Sequence, residues 1–365
     1  MKLKVGFIYG GISTEHEISV ISAVQAMNNV DKEKYEIIPI YISKNGEFYT
    51  GKDLLKIENY KNLKELCKKS NNVAIIKKGN EYCLLKVDFP HKILSTIDIF
   101  FPIVHGYNVE DGSIVGYLET IGAPYAESDL YASAVGQDKV IQKILFKENG
   151  IKVAPYIYFY ENDFINNESD ILKQVKDLTY PVIVKPARLG SSVGITIAKN
   201  ENDVKNAIKE ALKYDEKILV EKVVDNLKEL NCSVLGDKDS YKASLIEEVT
   251  SSKDILSFED KYLNGGKTKG MASADRIIPA NISKNITKEI EEISLEACKL
   301  LNTCGIVRID YLLDTKTNDV YLNEINIIPG SLSFYLWKDM SYKNLLTNII
   351  ELGIKKYKNK SRKQS

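Results

Sequence analysis

Arginine is scarce in this chain: it occurs only at Arg188, Arg276, Arg308 and Arg362, and lysine supplies nearly all of the positive charge. A planar guanidinium fork in a lysine-rich chain points to a local reason wherever it stands. Cysteine is sparse too. Cys67, Cys83, Cys232, Cys298 and Cys304 are odd in number and scattered without a CxxC pair, so they indicate neither a disulfide framework nor a zinc site. A reducing cytoplasm fits that usage. No apolar run reaches the roughly 20 residues of a membrane helix, and the start "MKLKVGFIYGG" reads as a strand, not as a signal peptide. Net charge is also absent: 50 Lys plus Arg balance 50 Asp plus Glu, so no overall field draws nucleic acid or an anionic membrane. A soluble cytoplasmic protein without nucleic-acid or membrane partners is expected.

What is present is enough chain for two or three domains, 365 residues of which 44% are hydrophobic. The first part alternates strand-like and helix-like stretches, "LKVGFIYG", "STEHEISVISAVQAMNN", "YEIIPIYIS", "TIDIFFPIV" and "GSIVGYLETIG", the pattern of a parallel sheet covered by helices. Between Asn45 and Leu94 that pattern loosens into an inserted ribbon and helix that the sequence does not place. A second unit opens near Tyr125 with "SDLYASAVGQDKVIQKILFKENG", read as one helix ending at Gly150. The strands "YPVIVKP" and "GITIAK" follow, then a helix and "KILVEKVV". A third unit starts near Asp225 with the antiparallel pair "KELNCSVLGD" and "YKASLIEEV". It continues through a long polar loop of the kind that serves as a lid or is disordered, a helix, the strands "CGIVRIDYLL" and "DVYLNEINII", and a last helix around "SYKNLLTNIIELG". The charged end "KKYKNKSRKQS" has no apolar anchors and is expected to fray.

Four constellations carry chemistry. In "VKPARLGSSVG", Gly190 and Gly194 allow close approach of backbone to an anion, Ser191 and Ser192 offer hydroxyls, and Lys185 offers charge, as in a phosphate cradle. A Gly-Ser turn between two strands is equally a plain hairpin, and the loop lacks the GKS ending of a Walker sequence. In "VRID" and "YLNEIN", Asp310, Glu324 and Asn326 can point three oxygens at one spot from adjacent strands, since Glu324 and Asn326 share a strand face. Oxygen-only donors suit magnesium, whereas a solvated sheet face is the plainer reading. The apolar setting of "YLNEINII" weighs against the latter, because carboxylates there cost several kcal/mol unless paired or metal-bound. In "GGISTEHEIS" a strand ends in two glycines and a helix opens with a capping box from Thr14 to Glu17; the N–H groups there attract an anion, and Glu15 could hold an amine. In "FPIVHGYNVEDGSIVG", His105 stands at a strand's carboxyl end, where open α/β sheets bind ligands, although a structural histidine would sit there equally well.

Taken in order, these blocks resemble the D-alanine-D-alanine ligase family of ATP-grasp enzymes. "GGISTEHEIS" is similar to its opening GG-x-S-x-E-x-E-x-S, and "HGYNVEDGSIVGYLE" to its HGxxGEDGxxxGxLE. The segments "QDKVIQK", "VKPARLGSSVG", "DKYLNGG", "ADRIIPANI", "RIDYLL" and "NEINIIPG" follow in family order. The resemblance implies a three-domain ATP-grasp fold with an N-terminal parallel α/β domain over residues 1–127, a central domain over 128–224, a C-terminal domain over 225–355 and a disordered tail over 356–365. It implies ATP-dependent joining of two D-alanines through an acyl phosphate, with ATP and two magnesium ions (manganese as an alternative) as cofactors, and a homodimer. By motif position, Lys139, Lys185, Ser191 and Ser192 would meet phosphates. Glu221, Lys222, Val223 and Val224 would lie along the adenine, and Glu229 would reach the ribose. Asp310, Glu324 and Asn326 would hold the metal. Glu15 would hold the first ammonium, with His105 near that substrate's carboxylate, and Arg308 with the Gly330 N–H would stabilise the tetrahedral intermediate. Lys261 and Tyr262, in the long polar loop, would set specificity, the tyrosine bonding Ser191.

Two positions depart from the family pattern. Val109 replaces a usual glycine. In "NIIPGSLSFYLWKD" a straight count puts Tyr335 where the family has a serine that meets the acceptor's carboxylate, a task that Ser331 or Ser333 would have to take over after a local shift. A ligase with D-serine as acceptor is therefore the alternative. A nucleotide-binding but catalytically idle relative is disfavoured by the presence of Arg308, Asp310, Glu324 and Asn326, and a dinucleotide oxidoreductase by "GGIST" in place of GxGxxG.

Overall fold

The computed structural model of the protein describes residues 2–191, 193–249 and 276–364. The apolar opening run folds as β1 (Leu3–Gly10) and pairs in parallel with β2 (Tyr35–Ile42) on one side and a later strand, Ile99–Pro102, on the other. This is the parallel core that the alternation predicts, with α1 (His16–Asn29) packed against β1. The stretch that the sequence does not place widens the same sheet. β3 (Phe48–Thr50), α2 (Leu63–Lys69), β4 (Asn71–Lys78), β5 (Glu81–Lys86) and β6 (Ile93–Ile97) precede β7 (Ile99–Pro102), and the strand order is β6-β5-β4-β3-β2-β1-β7. The added strands pair antiparallel, as the two-residue link between β4 and β5 requires.

After α3 (Ser113–Thr120), the single helix expected over 128–150 is two, α4 (Leu130–Gln137) and α5 (Lys139–Glu148). Asp138 breaks it. Its carboxylate accepts the Val140 and Ile141 N–H groups at 2.9 and 3.1 Å as an N-cap and pairs with Lys217 at 2.8 Å, which fixes the start of α5 and places Lys139 at its first turn. A four-stranded sheet, β10-β9-β11-β8, then forms from β8 (Tyr156–Tyr160), β9 (Val182–Pro186), β10 (Thr196–Ala198) and β11 (Lys217–Lys222). α6 (Glu161–Asp177) and α7 (Glu201–Ala211) cover it, and Val175, Val182, Val184, Ile208 and Ile218 belong to a core separate from the rest.

The third sheet, β14-β13-β12-β15-β16, is built from β12 (Leu227–Asp237), β13 (Ser240–Val249), β14 (Arg276–Ile277), β15 (Gly305–Asp314) and β16 (Asp319–Asn326). α8 (Lys284–Leu301) packs on it, and α9 (Tyr342–Gln364) contacts both it and the first sheet. One continuous buried cluster runs from Phe7 and Phe101 through Ile349 and Leu345 to Ile306 and Ile309.

Two sequence expectations are corrected here. The Thr14–Glu17 capping box does not form: the Ser13 hydroxyl accepts the Glu15 N–H at 3.2 Å and donates to the His105 carbonyl at 2.6 Å, and α1 starts at His16 with Glu15 as its N-cap residue. The end of the chain is not frayed from 356. Helix α9 runs on to Gln364, because Lys356 lies over the Tyr125 ring at 3.7 Å and its ammonium donates to the Glu127 carbonyl at 2.5 Å.

Candidate active site

A cleft of about 590 Å³ opens where the three sheets meet. The first and middle sheets contribute largely through strand ends and the turns after them, and the third from within β15 and near the end of β16. Among the residues anticipated from the sequence, Glu15, His105, Lys139, Lys185, Ser191, Glu221, Lys222, Val223, Val224, Glu229, Arg308, Asp310, Glu324, Asn326 and Gly330 all line it. Ser331 and Ser333 do not; both are buried beneath the turn that follows Gly330. Ser192, Lys261 and Tyr262 lie outside the described residues.

The loop between β9 and β10 is fixed at its base and reaches the N-terminal unit at its tip. Arg188 answers one of the scarce-arginine questions: its guanidinium forks onto Asp215 (Nη2 to Oδ1 2.6 Å), and its carbonyl accepts from Gln137 Nε2 at 2.8 Å. Lys139 Nζ donates to the Leu189 carbonyl at 2.9 Å and pairs with Glu324 at 3.2 Å. At the tip, Ser191 Oγ donates to Glu15 Oε1 at 2.5 Å, and Gly190 passes so close to that carboxylate that a Cβ there would press into it. The loop thus joins the middle sheet to the β1–α1 turn.

Charges in the cleft are arranged in opposed sets. Glu221 is buried between two ammonium groups, Lys185 at 2.5 Å and Lys143; burial opposes its charge, but the two lysines outweigh that and hold the carboxyl at about 2. Lys143 was not anticipated. It lies one helical turn beyond Lys139 on α5, and the i, i+4 spacing inside "DKVIQK" was the available signal. Burial also works against Lys139, yet Glu324 prevails and holds that ammonium above the usual lysine value. Burial raises Glu15, partly offset by the Ser191 hydroxyl. It raises Glu110 to about 8, with the Glu15 charge adding to the effect.

On the third sheet, β15 and β16 bring Asp310 opposite Glu324 and Arg308 opposite Asn326. Arg308 grips Asp310 with Nε to Oδ1 at 2.6 Å and Nη2 to Oδ2 at 2.8 Å, and Asn326 Nδ2 reaches the same carboxylate at 3.1 Å. Burial pushes Asp310 up and the nearby Glu324 adds to this, against the lowering by Arg308. Two crowded carboxylates and an amide oxygen favour a hard cation. Among the described residues no three His, Cys, Asp or Glu side chains converge as a self-sufficient metal cage. A cation held here must complete its shell from water and phosphate oxygens, which is magnesium's habit.

His105 faces inward. It is only 4% exposed, and its Nε2 meets Ser22 Oγ at 3.2 Å. Burial lowers it to about 4, so the ring is neutral at neutral pH. Ser22 thus engages Nε2, while His105 also lines the cleft. The two family departures also find places. Val109 is buried over Gly11, in the space which that glycine's missing side chain leaves. Tyr335 stays outside the cleft lining, with its ring 4.2 Å beneath the Arg276 guanidinium, which pairs with the buried Glu247 at 2.8 Å. In the turn before it, Ser331, Leu332 and Ser333 adopt φ of 51°, 51° and 45°, a left-handed conformation that costs a non-glycine residue about 1–2 kcal/mol each.

Comparisons with known proteins find relatives along nearly the whole chain. The models of the D-ala D-ala ligase N-terminus and C-terminus match residues 4–128 and 145–351. The D-alanine--D-alanine ligase of Thermosipho melanesiensis is 40% identical over 360 residues, covering 98% of this chain and 95% of that one. The enzyme of the same name from Caldicellulosiruptor bescii is 38% identical, with 98% and 97% covered. Among solved structures, the D-alanine-D-alanine ligase of Coxiella burnetii superposes with a TM-score of 0.84 at 28% identity, covering 99% of this chain and 96% of that one. The VanG D-Ala:D-Ser ligase of Enterococcus faecalis superposes with a TM-score of 0.80 at 29% identity, covering 97% and 100%.

Proposed function

Because the chain belongs to the D-alanine-D-alanine ligase family, we infer that the cleft residues perform that family's reaction, the ATP-dependent joining of two D-alanines. The observation that carries this reading is convergence: Glu15 from the first sheet, Lys139 and Lys185 from the middle unit, and Arg308, Asp310 and Glu324 from the third line one cleft.

The roles follow from charge and position. Lys139 and Lys185 hold the triphosphate, and the cradle loop, pinned by Arg188, covers it. Glu15, oriented by Ser191, holds the ammonium of the first D-alanine and turns its carboxylate toward the terminal phosphorus. Attack there forms a carboxyl O–P bond as the bond to ADP breaks. The amine of the second D-alanine then attacks the acyl carbon, the N–C bond forms, a proton leaves nitrogen and phosphate departs. Arg308 and the Gly330 N–H face the oxygen on which charge develops. Asp310, Glu324 and Asn326 would hold magnesium, which when bound would neutralise phosphate charge. Positioning and charge neutralisation account for most of the rate.

Phosphate release from ATP with magnesium and D-alanine alone tests the reading, with D-serine, D-lactate and L-alanine added in separate arms. D-Alanine by itself should suffice, and dipeptide should appear in step with phosphate. Absence of D-alanine-dependent release would refute the assignment, and release only with D-serine present would move the acceptor to D-serine.

A further inference from the structure

Three consecutive non-glycine residues in left-handed conformation, Ser331 to Ser333, stand directly after Gly330. Such a turn persists only where its surroundings over-determine it. The restraint here comes from the N-terminal unit. The Ser331 N–H donates to Ser22 Oγ at 2.9 Å, and the Ser22 hydroxyl meets His105 Nε2 at 3.2 Å. Ser22 is 1% exposed, on α1, and α1 packs along the whole 330–336 turn. With a neutral imidazole one arrangement satisfies these groups: Nε2 accepts the Ser22 O–H, and Ser22 Oγ accepts the Ser331 N–H. The Ser22 bond thus fixes the residue directly after Gly330. Glu110 adds a second strap, accepting the Ile328 N–H at 3.3 Å and the Gly106 N–H at 2.9 Å.

We propose that Ser22, oriented by His105, is a positioning residue for the amide-forming step: it holds the strained 331–333 turn and thereby aims the Gly330 N–H at the developing oxyanion. This rests on the function inferred above. Ser22 does not line the cleft and touches no substrate in this reading.

The test compares wild type, Ser22→Ala and Ser22→Ala/Ser333→Gly. The buried Ser333 Oγ has no hydrogen-bond partner among the described residues, so its removal forfeits no hydrogen bond there, while glycine adopts the left-handed turn without strain. Measured are kcat, nucleotide affinity by direct titration, and positional isotope exchange in ATP driven by D-alanine, which reports acyl phosphate formation separately from its capture. Ser22→Ala should lower kcat on the order of 100-fold with ATP affinity changed less than about two-fold. Isotope exchange per turnover should rise, and Ser333→Gly should restore kcat roughly five-fold. A folded Ser22→Ala protein within about three-fold of wild-type kcat, or one whose ATP affinity falls as far as its kcat, would overturn the proposal. Should the alanine variant not fold, Ser22→Cys, similar in size and a weak acceptor, is held to the same criteria. A wild type without D-alanine-dependent turnover would sink the functional reading and this inference together, whereas an active wild type matched by Ser22→Ala sinks only the inference.

Discussion

At Glu221 one carboxylate serves two ammonium groups, and at Asp310 one carboxylate fills one guanidinium fork. The difference decides what each can release. Lys185 shares Glu221 with Lys143, so a phosphate can draw Lys185 away without leaving Glu221 bare, and a buried unpaired charge is what the fold must avoid. Arg308 is held in a plane by two bonds to Asp310, which sets the direction of its remaining N–H groups. Lysine keeps the charge there but not the fork. Arg308→Lys should therefore lower kcat by about 100-fold or more while nucleotide affinity stays within about two-fold, as steady-state rates and nucleotide titration will show. Normal turnover would remove Arg308 from the oxyanion role. The arginines were legible as singular residues. Lys143 was not singled out, since its i, i+4 spacing from Lys139 was its one mark and its role shows only once the fold buries it.

Among the elements, α9 shows how a local signal is overruled by packing. The glycine of "IIELG" reads as a helix end, yet the helix passes through Gly353 without stopping. The residue is there for close approach: a Cβ at Gly353 would come within 2.7 Å of Ala126 Cα and 2.8 Å of the Tyr125 carbonyl. Those atoms are backbone and cannot swing away, so helix and chain would have to separate. Gly353→Ala should destabilise the protein by about 1–3 kcal/mol in a urea melt, despite alanine's better helix propensity. A gain in stability would show that the helix end is not docked. The α4–α5 break is the converse case. Asp138 looks like an ordinary polar residue within an amphipathic run, and only its reach to Lys217 shows why a cap stands there.

Across the whole molecule, the first and third sheets share one buried core while the middle sheet has its own. The shared core is closed by Glu127, whose carboxylate accepts the Ile306 N–H at 3.1 Å and whose carbonyl accepts Lys356 at 2.5 Å. Burial raises its carboxyl to about 8, against the lowering by the Ile306 bond and Lys356. In the unfolded chain the same group ionises near about 4.3. Between these values the fold keeps a proton that the unfolded chain has lost, so this group's contribution to stability falls as pH rises and levels off above about 8. Glutamine cannot ionise and keeps an acceptor for Ile306. Relative to wild type, Glu127→Gln should gain at least about 1 kcal/mol between about pH 4.5 and 8, measured by urea melts across that range. A difference that does not vary with pH would mean that Glu127 is ionised throughout.

The sequence by itself determined most of the strands and helices, the order of the motif blocks and fifteen residues of the cleft lining, because periodicity and short polar signatures are local properties of a chain. It did not determine the antiparallel extension of the first sheet, the docking of α9 or the inward turn of His105. Those depend on which distant surfaces meet, and a residue such as Ser22 acquires its hydrogen-bond partners only once α1 lies against a turn some three hundred residues away along the chain. Chemistry was written in the residue types; aim was decided by packing.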